Sequence, residues 1–207
     1  GARIMINEGV LEDPQVDAVL GIHLWTPIRT GKIGITAGPV MAGQDNFRLT
    51  ICGKGGHSGS PQTAIDPIIV AANVIQSVQA IQTREIDVLR PTCIIFGKIA
   101  GGTAPNIIPD KVELEGSIRY LYDGGDNCEE QPKQRFARIV SKICEAYRTD
   151  CQLEFIPSSP TLINDTQLAE LVRYVAKEVV GPGEILAHVC MPGEDFAEFA
   201  IERPGAF

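Results

Sequence analysis

The sequence predicts an α/β protein in which an outer α/β domain is interrupted by a ferredoxin-like βαββαβ unit. Three observations lead there. Between residues 44 and 157 the apolar pattern alternates between strand and helix periods in the order β-α-β-β-α-β. The flanks carry strand and helix signals of their own, but at about 40 and 50 residues each is too short for an independent core. The 207 residues are 44% hydrophobic and 21% charged, the composition of an ordinary globular chain. Residues 1-40 and 158-207 are therefore read as two pieces of one discontinuous outer domain, with 41-157 inserted between them.

The elements follow in order. Val16 to Trp25 is a nearly continuous apolar run bounded by Asp13-Pro14 and Thr26-Pro27, which predicts a strand buried on both faces. Residues 31–36 form a weaker strand, and Gly38-Pro39 is expected to break the chain. From Asp45 to Ile51 the pattern alternates, with Phe47, Leu49 and Ile51 on one face and Asn46, Arg48 and Thr50 on the other. A glycine-rich loop, 53–61, leads to Asp66-Pro67, an N-cap acid with proline at the first helical position. Ile68, Ala72, Ile75 and Val78 then mark a helix to about Ile81. Thr92 to Phe96 is a strand. Val112, Leu114 and Ile118 alternate with Glu113, Glu115 and Arg119 to mark another. Phe136, Ile139, Val140, Ile143 and Tyr147 mark a second helix, and Leu153 with Phe155 a short strand. After Asn164-Asp165 a helix carries Leu168, Leu171, Val172, Val175 and Val179 and ends at Gly181-Pro182. The tail from Ala187 to Phe207 reads as a short strand, a loop and a short helix.

Composition excludes several function classes. Eighteen basic against 26 acidic residues leave a net charge of −8 with no Lys/Arg run, which argues against nucleic acid and anionic membrane surfaces as partners. A ferredoxin-like sheet can bind RNA, but these strands lack an exposed pair of stacking aromatics. No apolar stretch approaches the roughly 20 residues that span a bilayer. No basic-then-apolar leader marks the chain for export, so a cytoplasmic location is expected. The six cysteines, Cys52, Cys93, Cys128, Cys144, Cys151 and Cys190, contain no C-x-x-C pair. They read as reduced thiols acting as small core hydrophobes.

Six residues carry candidate chemistry. His23 lies near the carboxyl end of an apolar strand, where ligands gather in α/β sheets, though a lone histidine in apolar company is more often a satisfied core residue. His57 sits amid glycines that let the backbone approach a ligand, or is simply an exposed turn histidine. The loop does not match a phosphate-binding G-x-x-x-x-G-K-[ST] motif. Asn106 stands at a strand entry and Arg119 near its exit. An amide and a guanidinium suit a carboxylate, against the alternative of a turn asparagine and a surface arginine. Glu194-Asp195 is a carboxylate pair fit for acid/base or metal work, or for the dipole of a short helix. Ser58 and Ser60 lack a nucleophile elbow.

Taken together, these pieces resemble the N-acyl-amino-acid amidohydrolases, the hippurate and indole-acetyl-amino-acid hydrolases of metallopeptidase family twenty. The resemblance rests on Gly1-Ala2-Arg3 to Glu8-Gly9-Val10, Val16-Asp17-Ala18-Val19, and Gly21-Ile22-His23-Leu24. It continues through Gly53-Lys54-Gly55-Gly56-His57-Ser58 with Pro61 and Asp66-Pro67, and Gly101-Gly102-Thr103 with Asn106 and Pro109. Gly116 with Arg119, and Met191-x-Gly193-Glu194-Asp195-Phe196 with Pro204-Gly205, complete it. It implies part of an α/β metallohydrolase catalytic domain with an inserted dimerisation or lid domain. It also implies cleavage of an N-acyl amino acid, or a related peptide-like amide, by a hydroxide activated on two divalent metals, zinc or manganese, with a glutamate as general base. By the resemblance His23 is a metal ligand. His57 is a lid histidine that reaches a neighbouring subunit's site and stabilises the oxyanion. Asn106 and Arg119 grip the substrate carboxylate, and the chain forms a homodimer through the inserted domain.

The chain also departs from that family. Its relatives carry a Cys-x-His motif and a Glu-Glu pair ahead of the matched region and a last histidine ligand after it. None of the cysteines here lies in a Cys-x-His pattern, and His188 precedes Glu194-Asp195. One matched histidine cannot hold two metals, so the 207-residue chain is expected to be an inactive part of the enzyme. The alternative is a non-catalytic dimerisation or ligand-binding module of the same descent.

Overall fold

The computed structural model describes residues 1–123 and 131–207; Cys128 lies outside the described residues. The helices are α1 (Ala2–Asn7), α2 (Pro67–Ser77), α3 (Pro132–Ala146), α4 (Thr166–Val180) and α5 (Phe196–Glu202). The strands from the N-terminus are β1 (Val19–Leu20), β2 (Ile33–Gly34), β3 (Gly38–Met41), β4 (Gly43–Cys52), β5 (Gly56–His57) and β6 (Thr92–Gly101). They continue with β7 (Ile107–Ile108), β8 (Lys111–Tyr120), β9 (Asp150–Ser159), β10 (Leu162–Asn164), β11 (Ile185–Leu186) and β12 (Gly205–Ala206). Two compact units result: residues 1–43, 121–124 and 159–207 in one, residues 44–120 and 125–158 in the other.

The second unit has the ferredoxin-like order. Its four-stranded sheet runs β6-β8-β4-β9, so each helix crosses from one strand to another that is not its neighbour. The alternation in β4 buries Phe47, Leu49 and Ile51 at 2% exposure or less. Val112, Leu114 and Ile118 of β8 do the same from the adjacent strand. Phe47 and Phe136 of α3 meet with ring centroids 4.6 Å apart, and Phe96 of β6 lies edge-on to Phe47 at 5.2 Å. Asp66 caps α2 by accepting the Ile68 N–H at 2.9 Å. A charged row crosses the open face of the sheet, one residue per strand: Glu154, Arg48, Glu115 and Lys98, joined at 3.3, 3.9 and 2.8 Å.

The first unit is built from small ladders. β1 pairs in parallel with β12, β2 in parallel with β11, and β3 antiparallel with β10. Asp165 caps α4 through the Leu168 N–H, and Gly181 ends that helix at φ 91°. Among the described residues no helix is long and apolar enough to cross a membrane.

Three expectations fail in detail. The run from Val16 to Trp25 is not a strand buried on both faces. Only Val19–Leu20 pair, with one neighbour, and Leu20, Ile22 and Leu24 are 68%, 89% and 92% exposed. Gly38-Pro39 does not break the chain but opens β3, where Gly38 takes φ 79° and Pro39 sits at a register shift beside Ile163; a two-stranded ladder leaves its outer N–H side free, which tolerates proline. The stripe of α2 is Val70, Ala71 and Val74, continued by Val78, while Ile68 and Ala72 are exposed.

Candidate functional site

The loop carrying His57 is pinned from both sides. Lys54 and Ile65 exchange two backbone hydrogen bonds of 2.9 Å. The Asp110 carbonyl accepts the Gly53 N–H and its carboxylate the Gly55 N–H, both at 2.8 Å. Gly53 must be glycine, since a Cβ there would stand 2.2 Å from the Ile65 carbonyl oxygen. β5 then pairs with β7, placing His57 opposite Ile107, and the Ser58 N–H donates to the Asn106 carbonyl at 3.0 Å. His57 and Asn106 thus share one corner, both exposed. The His57 ring accepts the Gly59 N–H on Nδ1 at 3.0 Å. It lines an open groove of about 890 Å³ together with Thr103, Ile107, Asp110 and Lys111.

Arg119 does not join that corner. It lies in β8 opposite Cys93. Lys111, at the near end of the strand, is eight residues away, about 26 Å at the rise of a strand. A carboxylate clamp made of Asn106 and Arg119 is therefore not assembled within one chain.

In the other unit His23 follows β1 and is exposed. Its Nδ1 stands 2.7 Å from the Leu24 carbonyl oxygen. A carbonyl only accepts, so Nδ1 carries the proton and the Nε2 lone pair is left for another partner. Trp25 packs edge-on at 5.4 Å and Phe207 at 6.5 Å. These rings line a cavity of about 530 Å³ that also takes in His188 and Cys190. Among the described residues His188 Nε2 is buried without a hydrogen-bond partner, its ring 6.1 Å from Trp25. Among the described residues no group of three or more His, Cys, Asp or Glu side chains could hold a metal. His23 is one candidate ligand, and this set does not fit a two-ion centre by itself.

The Glu194-Asp195 pair serves backbone amides. Asp195 accepts the Ala2 N–H at 3.0 Å and Glu194 the Phe196 N–H at 3.2 Å, while Glu198 pairs with Arg3. Asp110, which ties down the His57 loop, is not legible in the sequence because its partners Gly55 and Gly53 lie 55 and 57 residues away. The one signal for it is an acid directly after Pro109 in an irregular stretch.

Residues 42–151 match the model of the peptidase dimerisation domain. The N-acetyl-L-cysteine deacetylase of Bacillus subtilis is 36% identical over all of this chain and 48% of its own length. Thermostable carboxypeptidase 1 of Saccharolobus solfataricus is 34% identical over all of this chain and 51% of its own. Among solved structures, a dinuclear metal-binding peptidase of the M20 family from Bacillus subtilis superposes on the whole chain and 51% of its own, with a TM-score of 0.77 and 27% identity. The chain spans about half the length of the curated relatives it matches.

Proposed function

Because the chain belongs to the peptidase dimerisation domain family, we propose that it is part of a metal-dependent amidohydrolase that cleaves N-acyl amino acids. In this reading residues 41–157 are the dimerisation lid, and residues 1–40 and 158–207 are part of the catalytic domain. The two relatives point to one substrate chemistry. An N-acetylated cysteine and the last residue of a peptide are both acylated amino acids with a free carboxylate next to the scissile amide.

The observation that carries the reading is the pinned, solvent-facing His57 at the rim of its groove. A ring N–H held there is suited to donate to the oxygen of an amide as it becomes an oxyanion. Asn106 offers an amide at the same corner, and Arg119 offers paired donors for the substrate carboxylate. Since one chain keeps Arg119 far from His57 and Asn106, a site that uses all three draws them from two copies. A homodimer through the lid supplies them. β6 is the edge for it, ten residues long with Ile95 and Ile99 at 52% and 60% exposure.

Divalent ions, zinc or manganese, would supply Lewis acidity and activate a water in this reading; of the described residues His23 would hold one of them through its Nε2 lone pair. We place the protein in the cytoplasm with its thiols reduced. The second reading, a non-catalytic dimerisation or ligand-binding module, is favoured by the absence of a three-ligand cluster among the described residues.

Three measurements test the first reading. In the complete enzyme, His57→Ala is expected to lower kcat by about 10²–10³ with metal content unchanged; normal turnover would remove His57 from the mechanism. Arg119→Ala is expected to raise KM for substrates with a free carboxylate and not for their amides, and equal effects on both would refute the clamp. Metal analysis of the 207-residue chain is expected to find fewer than two tightly held ions, and two would reveal ligands besides His23.

A further inference from the structure

A neutral imidazole carries one proton, and which nitrogen holds it decides whether His57 can act as a donor toward substrate. We propose that the Gly59 backbone amide is a positioning group that holds His57 in the Nε2–H tautomer. The inference deepens the reading of His57 as an oxyanion donor and rests on it for its functional meaning.

The geometry is local and closed. The Gly59 N–H points at His57 Nδ1 from 3.0 Å. An N–H can be met only by a lone pair, so Nδ1 is unprotonated and the proton sits on Nε2. The amide is not free to turn away. The Ser60 N–H donates to the His57 carbonyl at 2.9 Å, closing the turn around the ring, and the Ser58 N–H is held by the Asn106 carbonyl. The residue between those anchors is Gly59, whose amide is left facing the ring. The absence of a side chain suits the contact, since a Cβ on Gly59 would stand 3.1 Å from Nδ1 and 3.4 Å from Cε1. The outer nitrogen of an exposed ring is then a fixed donor at the rim of the groove.

The test needs no substrate. In the ¹⁵N-labelled 207-residue chain, at a pH above which the His57 nitrogen shifts no longer change, those two shifts report the tautomer ratio; assignment comes from the signals that vanish in His57→Gln. The same chain in urea gives the free-ring reference. The expected result is an Nε2–H to Nδ1–H ratio raised about fivefold over the urea sample, the effect of one net hydrogen bond. Gly59→Ala, which keeps the amide N–H, is expected to retain most of that rise, and Gly59→Pro, which removes it, to lose it. A ratio unchanged from urea, or an Nδ1–H ring, overturns the proposal. If Gly59→Pro fails to fold, the comparison of the unmodified chain with its urea sample still decides. Turnover of His57→Ala in the complete enzyme tests the role of the donor separately.

Discussion

At Gly116, a Cβ would lie 2.1 Å from the Ile95 carbonyl oxygen and 2.4 Å from the Phe47 ring. Its motif position beside Arg119 thus has a packing cause: β8 has no side chain there because the largest core ring of β4 occupies that space. Gly116→Ala is expected to cost about 2–3 kcal/mol, read as a lower urea midpoint with an unchanged slope. Gly97, with nothing within 4 Å of a Cβ and no left-handed φ, is the control, and Gly97→Ala is expected to stay within about 0.5 kcal/mol. Cys144 gives a residue-scale pH dependence. Burial pushes its thiol up to about 11, with the neighbouring Cys151 thiol adding to the rise and a hydrogen bond from Thr149 opposing it. A raised acid favours folding while it stays protonated. Its contribution, on the order of 2 kcal/mol, is complete below the ordinary thiol value and lost as pH rises toward 11. Urea unfolding from pH 8 to 11 is expected to show that loss in the native chain and much less of it in Cys144→Ala. The reading of cysteines as small core hydrophobes is legible in sequence for Cys144, 2% exposed; Cys52, Cys93, Cys151 and Cys190 are only half-buried.

At the scale of elements, legibility follows contrast. β4 and β8 were readable because apolar and polar residues alternate strictly, so only one face could be buried. The interior of α2 is apolar almost throughout, from Ile68 to Ile75. Such a helix has no polar face to mark the outside, and the sheet beneath chose Val70, Ala71 and Val74. The π-helical turn Ile81–Glu85 has no sequence signal; it is held by partners 50 and 53 residues away, since Arg135 and Arg138 of α3 reach Glu85 at 3.1 and 2.5 Å. The Arg138 hydrogen bond, reinforced by Arg135 and opposed by burial, holds the Glu85 carboxyl below its ordinary value. The charged form is therefore the stabilising one, present above the ordinary carboxylate value and lost as pH falls below it. Glu85→Gln is expected to cost about 1 kcal/mol at pH 7. In thermal melts the gap to the native chain should close as pH drops from 5 toward 3. A gap that stays constant would show that the carboxylate charge plays no part.

At the scale of the whole chain, the two units differ in how far each has buried its apolar surface. In residues 44–120 and 125–158, a four-stranded sheet carries two helices over a core in which Phe47, Leu49, Ile51, Val74, Ile94, Leu114, Ile118, Phe136 and Val140 are at most 2% exposed. The other unit rests on two-stranded ladders, which are marginal alone. Its α4 leaves Leu171, Tyr174, Val175 and Val179 at 56%, 63%, 48% and 76% exposure, and Leu20, Ile22 and Leu24 are bare as well. That is why the sequence misled at this end. A pattern of buried-strand and buried-helix residues states what a face is built to contact, and among the described residues these side chains stay exposed. Unfinished burial means a smaller loss on opening. Hydrogen exchange on the 207-residue chain is therefore expected to show β4, β6 and β8 protected to the limit of global unfolding, while α4 and β1 exchange by sub-global opening at lower free energy. Lys substitutions at Leu171 and Val179 are expected to leave the sheet's protection unchanged and to reduce binding of a hydrophobic dye. Equal protection in both units, or dye binding unaffected by those substitutions, would show that the exposed stripe of α4 is covered in solution by something these residues do form.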